Sequence, residues 1–115
     1  MWYANGVHCS MRFVETPIFT TAIRSAVADE DYRALQVALL LRPEQGPVIP
    51  RSGGLRKVRW AGSGRGKRGG LRVIYYWHPA EETFYMLFVY AKNAQEDLTP
   101  SQLKTLRHLI QEELA

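Results

Sequence analysis

Apolar positions recur along this 115-residue chain first at helical spacing, then at strand spacing, then at helical spacing again. Ile18, Phe19, Ala22, Ile23, Ala26 and Val27 fall three or four residues apart and form one apolar stripe. Thr16-Pro17 precedes them, a capping hydroxyl followed by the helical position at which proline's missing N–H costs nothing. The spacing predicts a helix up to about Val27. Asp29, Glu30 and Asp31 then break the pattern and put negative charge at the positive end of a second helix, from about Asp31 to Arg42. Leu35, Ala38, Leu39 and Leu41 are its expected inward positions, and Pro43 stops it.

Strand-like runs follow. Arg12 to Glu15 reads as a short edge strand ahead of the helices, and Leu55 to Trp60, Leu71 to Trp77 and Thr83 to Ala91 as three core strands, the last central. Because successive side chains on a strand point to opposite faces, Lys57 and Arg59 share one face while Val58 and Trp60 share the other. A glycine-rich loop, Ala61 to Gly70, joins the first two core strands into an antiparallel hairpin that brings Arg72 near Lys57 and Arg59. Gly62, Gly64 and Gly66 are not a dinucleotide fingerprint, since they lead into a strand rather than a helix. His78 to Glu81 reads as a turn, and Lys92 and Asn93 lie at the end of the third core strand. Thr99-Pro100-Ser101-Gln102 is a capping box that opens a last helix. Its stripe is Leu103, Leu106, Leu109 or Ile110, and Leu114, which packs either on its own sheet or on a partner. Residues 1–10 show no periodicity and read as a disordered leader before a single domain over 11–115.

Composition narrows the class. With 46% hydrophobic and 23% charged residues the chain is an ordinary globular one, and its length suits one core. The lone Cys9 rules out an internal disulfide framework, and His8 and Cys9 by themselves do not fill a tetrahedral metal site. No apolar run approaches the ~20 residues of a membrane span and no secretion signal opens the chain, so the expected compartment is the cytoplasm.

Charge changes the picture more. Between Arg51 and Tyr76 lie eight of the 15 Lys and Arg residues, and no acid occurs between Glu44 and Glu81. The remainder holds 7 cations against 11 acids, so one basic region sits on an otherwise acidic body. A positive field concentrated in this way, with aromatic residues beside it, suits a nucleic-acid backbone, although a basic run is also what a solvated face looks like.

The segments SGGLRKVRW, GRGKRGGLRVIYYW, FVYAKN and the following EDLT resemble the RelE/ParE superfamily of type II toxins, and its HigB-type branch in particular. The resemblance spans about Met11 to Leu114. It implies an α+β fold, a small twisted antiparallel sheet with two N-terminal helices packed on it and a C-terminal helix. It also implies a metal-independent, ribosome-dependent endoribonuclease that cuts mRNA in the A site, needs no cofactor and is neutralised by a cognate helix-turn-helix antitoxin. The partners implied are the ribosome, mRNA and that antitoxin; operator DNA is reached only through the antitoxin complex, and no membrane is involved. Position by position, Lys57 and Arg59 match the family's paired basic residues, Arg72 its next arginine and Lys92 the basic position at the end of the sheet. Asn93 stands where some RelE members carry an arginine thought to protonate the leaving oxygen. The tyrosine that RelE supplies near its C-terminus has no counterpart in the last helix, which leaves Tyr76 or Tyr90 to approach the groove.

The expected chemistry is attack of a 2′-hydroxyl on the neighbouring phosphorus. Crowding by Arg59 and Arg72 favours Lys57 as the neutral amine and general base, while the two guanidinium groups stabilise the transition state. Arg56, Arg65, Lys67, Arg68, Tyr76 and Asn93 are the expected RNA or ribosome contacts, Tyr76 by stacking on a base. His78 and His108 read as surface positions outside the chemistry. Two alternatives stay open, a ParE-like gyrase inhibitor and a non-catalytic nucleic-acid or antitoxin-binding module.

Overall fold

The computed structural model describes residues 3–8, 11–60 and 70–114. Five strands form one sheet: β1 (Tyr3–His8), β2 (Met11–Glu15), β3 (Arg56–Trp60), β4 (Leu71–His78) and β5 (Thr83–Ala91), in the spatial order β1-β2-β5-β4-β3. The helices α1 (Pro17–Ala26) and α2 (Asp29–Leu41) cover one face. The other carries α3 (Pro100–Leu109), which runs on as a π-helical turn over Ile110–Leu114. This is the expected α+β architecture. Pairing is antiparallel throughout except between β2 and β5, which are parallel because the chain crosses over through both helices and the hairpin before returning.

Local signals explain the helices. Thr16 accepts from the Phe19 amide at 3.1 Å, and α1 buries Phe19 and Ile23. Asp29, Glu30 and Asp31 all fall in the first turn of α2, which therefore starts earlier than expected and buries Leu35 and Leu39. Thr99 and Gln102 close the capping box of α3, whose Leu106 and Ile110 are buried against the chain's own sheet. Three expected inward residues point out instead: Ile18 is 59% and Leu41 77% exposed, and Ala26 is exposed at the end of α1. Thr20 takes a buried place on α1 because its hydroxyl serves Glu15.

Three sequence expectations need correction. The leader contributes β1, which pairs with β2 across Tyr3↔Glu15 and His8↔Met11; unpaired backbone along β2 is a template for such a strand, so no side-chain rhythm is needed to recruit it. For the same reason β2 is an inner strand, not an edge. Glu15, expected on an edge, is fully buried and accepts from the hydroxyls of Thr20 at 2.5 Å and Tyr32 at 2.6 Å. That network ties β2 to both N-terminal helices. It also raises the Tyr32 hydroxyl far above its ordinary pKa, through burial first and the Glu15 carboxylate second. His8 and Cys9 lie outside the side chains described.

Helices on both faces make β4 and β5 nearly all buried, so the alternation expected for a half-exposed strand disappears: Arg72, Val73, Ile74 and Tyr75 are all buried. Phe13 of β2 stacks on its partner Phe84 of β5 with ring centroids 4.7 Å apart. A bulge in the β4/β5 pairing, between Ile74↔Phe88 and Tyr75↔Met86, leaves Leu87 as an extra residue. Leu87 and Phe88 therefore both face α3, while Met86 faces α1 and α2.

Candidate nucleic-acid site at one end of the sheet

The site lies on the face that α3 only partly covers. Arg59 of β3 sits directly across from Arg72 of β4, and Arg72 directly across from Tyr90 of β5. Directly opposed residues hold their Cβ atoms ~5 Å apart, so two guanidinium groups and a phenol form one row across three strands. Lys57 lies two residues along β3 from Arg59, on the same face. Like charges set opposite each other on a sheet are unfavourable, so such a row suits an anion placed over it.

An anion of the protein's own is already there. The Lys57 Nζ donates to the Asp97 carboxylate at 3.0 Å. The Asp97 carboxyl is held below the usual carboxylate range, chiefly by that hydrogen bond and by the Lys57 charge, with smaller contributions from Lys92 and Arg72. Three of the four cations expected to be catalytic thus act on one carboxylate. Lys57 was expected among cations alone; its closest charged neighbour is instead an acid 40 residues further on. Sequence distance hid Asp97, which with Glu96 is one of two acids in the segment between β5 and α3.

Lys92 follows β5 in the turn that leads to Asp97. Its backbone N–H donates to the Gly70 carbonyl at 3.1 Å and its side chain pairs with Glu96 at 3.8 Å. Asn93 is exposed in the same turn.

Tyr90, not Tyr76, is the tyrosine at the row. It is 7% exposed, and its hydroxyl is buried with no hydrogen-bond partner among the described residues. Burial pushes that hydroxyl above its ordinary pKa, against the opposing pull of Lys57 and Arg72. It therefore keeps its proton at neutral pH, and a neutral phenol can both donate and accept a hydrogen bond. Tyr76 lies four residues from Arg72 along β4, about 13 Å at ~3.3 Å per residue. It packs instead against Tyr85, His78 and the backbone of Gly54, where a Cβ would come within 3.1 Å of its ring.

Arg56 also departs from expectation. Strand alternation turns it to the face opposite Lys57, where its guanidinium donates to the Glu44 carbonyl at 3.1 Å and the Gly46 carbonyl at 2.8 Å. It fastens the segment after α2 to β3. Arg65, Lys67 and Arg68, expected to contact ribosomal RNA, lie outside the described residues, as do Gly62, Gly64 and Gly66. His108 is exposed and pairs with Glu112 at 3.9 Å, away from the row. His78 ends β4 beside Tyr76, also away from it.

Beside the row opens a cleft of about 320 Å³, lined by Lys57, Tyr90 and Asp97 and by apolar side chains of the 47–50 segment and of Leu98 and Leu103. The 47–50 wall is held along β3: the Lys57 amide donates to the Pro47 carbonyl at 3.1 Å and the Ile49 amide to the Leu55 carbonyl at 2.8 Å.

Fold and site together define a small α+β protein with Arg59, Arg72 and Tyr90 in one row at one end of its sheet and Lys57 on the same face. Residues 11–115 match the family model described as the RelE toxin of the RelE / RelB toxin-antitoxin system. The chain belongs to that toxin family. Among the described residues no helix is long and apolar enough to cross a membrane.

Proposed function

We propose that the protein is a ribosome-dependent mRNA endoribonuclease of the HigB-type branch, acting in the cytoplasm on translated mRNA in the A site and silenced by a cognate helix-turn-helix antitoxin. The observation that supports this reading is the row of Arg59, Arg72 and Tyr90 across three strands, with Lys57 on the same face and hydrogen-bonded to the Asp97 carboxylate at 3.0 Å. In this reading the carboxylate marks the place of the scissile phosphate, which displaces it when RNA enters. Once Asp97 is displaced, Lys57 in its neutral form, its proton given up to solvent, takes the proton of the attacking 2′-hydroxyl.

A bond then forms from the 2′-oxygen to phosphorus and the bond to the 5′-oxygen breaks, leaving a 2′,3′-cyclic phosphate and a 5′-hydroxyl. Arg59 and Arg72 neutralise the charge gathering on the phosphoryl oxygens, a task suited to fixed charge and forked donors. The protonated Tyr90 hydroxyl is the nearest neutral donor for the leaving oxygen, and Lys92 adds charge at the rim. Arg65, Lys67, Arg68 and Asn93 contact the ribosome or mRNA outside this centre.

The test is to induce the protein briefly in bacteria and map mRNA 5′ ends. New ends inside translated codons are expected, and none with Lys57→Ala, Arg59→Ala or Arg72→Ala. Intact transcripts alongside a DNA-damage response would replace this reading with gyrase inhibition, and intact transcripts without one with a binding module.

A further inference from the structure

The outward side of α2, on the face of the sheet away from the cation row, is not the charged surface of an ordinary solvated helix. Glu30, Ala34, Val37 and Leu41 are all exposed and follow one another at steps of four, three and four residues, which sets them in one line along the helix. Val37 is 44% and Leu41 77% exposed. Single exposed apolar residues are commonplace on a folded protein, whereas an apolar line at helical spacing has the form of a helix–helix contact. The ends of the line carry opposite charge: Asp29, Glu30 and Asp31 open α2, and Arg42 follows it. Asp29, Glu30 and Arg42 have no ion-pair partner among the described residues.

This order is symmetric about a point midway along the line, level with Leu35 and Gln36. When a second copy of α2 lies against the first in the reverse direction, with a two-fold axis at that level, Ala34 of each copy meets Val37 of the other, small against large. Leu41 then rests on the stem of Glu30, and Arg42 falls opposite Asp29. Every pairing occurs twice, as a two-fold contact demands. The helix dipoles oppose each other in this arrangement, so the negative end of each lies beside the positive end of its neighbour. A partner of another kind could cover the apolar residues, but it would not require apolar and charged positions to mirror about one level. We propose that the outward side of α2 is a self-association surface, through which two copies of this chain pair antiparallel. One 13-residue helix is about 20 Å long and offers less than the ~800 Å² per partner of a standard interface, so the dimer is weak, with a dissociation constant on the order of 10–100 μM. The cation rows lie on the far faces of the two sheets and stay open, so the proposal stands apart from the ribonuclease reading.

Sedimentation velocity of the purified full-length chain, from about 5 to about 500 μM, reads the association directly. The weight-average mass is expected to climb from that of one 13.2 kDa chain toward that of two. Val37→Asp puts a charge at the centre of the stripe and should weaken pairing by more than about tenfold, while Arg42→Glu, at its rim, should weaken it by about threefold. Both positions are exposed, and Leu41→Ser stands in should Val37→Asp not fold. A chain that stays monomeric up to about 500 μM would overturn the proposal and leave the stripe to a different protein. Pairing that a folded Val37→Asp or Leu41→Ser chain retains at wild-type strength would overturn it as well, by placing the contact elsewhere. Neither result turns on whether the protein cuts mRNA.

Discussion

The two faces of the sheet differ in how they hold their charged groups. Under α1 and α2 the one buried acid, Glu15, has both carboxylate oxygens occupied by hydroxyls from the helices that cover it. Under α3 the polar groups are only partly settled: Arg59 is exposed, Lys57 and Asp97 hold each other in reach of solvent, and the Tyr90 hydroxyl has no partner. Satisfied polar groups specify a core, while incompletely satisfied ones mark where something else binds. The buried acid of the α1/α2 face is thus bound into the core, while the cations of the α3 face stay within reach of solvent.

Five substitutions sharpen or break this contrast. The largest effect belongs to the cation row: Arg59→Ala, at an exposed position, should lower mRNA cleavage by ~100-fold or more while leaving the urea midpoint where it was. On the other face, Glu15→Ala leaves the buried Tyr32 hydroxyl without its acceptor and Thr20 with only the Thr16 carbonyl, and should cost about 2 kcal/mol in urea unfolding, with cleavage per folded molecule unchanged. A fall in cleavage at constant folding would show that the two faces are not separate in function. Tyr90→Phe removes an unpartnered hydroxyl, so unfolding should show no loss of stability, while cleavage drops about five- to tenfold for one lost hydrogen bond.

Asp97→Asn should raise RNA affinity severalfold, because it removes a carboxylate that competes with phosphate for Lys57 through an exposed, weakly held ion pair. Filter binding at two salt concentrations measures it, and a collapse of cleavage instead would make Asp97 the proton acceptor in place of Lys57. Smallest is Arg56→Ala, which should cost about 1 kcal/mol of stability and leave the salt dependence of RNA binding as in wild type. A shallower salt slope would put Arg56 back among the RNA contacts.

Much of the site was legible in the sequence. Strand alternation put Lys57 and Arg59 on one face, and the hairpin brought Arg72 across from Arg59, because both follow from local geometry. The same rule applied to Arg56 would have turned it away from the row. Tyr76 was misplaced because its own face is occupied along its length: Ile74 and Tyr76 pack toward α3, and Arg72, at the other end of β4, is the residue of that face that meets Arg59 and Tyr90. Asp97 was missed because neither spacing nor composition says how far the turn after β5 folds back. The buried Glu15 went unread since it looks like any strand-end acid until two hydroxyls are brought to it.

What the sequence by itself determined are the elements and their polarity: the capped helices, the basic hairpin and the concentration of charge. These depend on neighbours a few residues away, whose hydrogen bonds and steric preferences act before the chain is folded. Only the tertiary structure decided which strand each strand lies beside, that β2 is an inner strand, and that Asp97 and Tyr90 share a cleft with Lys57. Those outcomes depend on how the apolar faces close over the sheet, and such packing is settled between residues that are distant along the chain and adjacent only once it is folded.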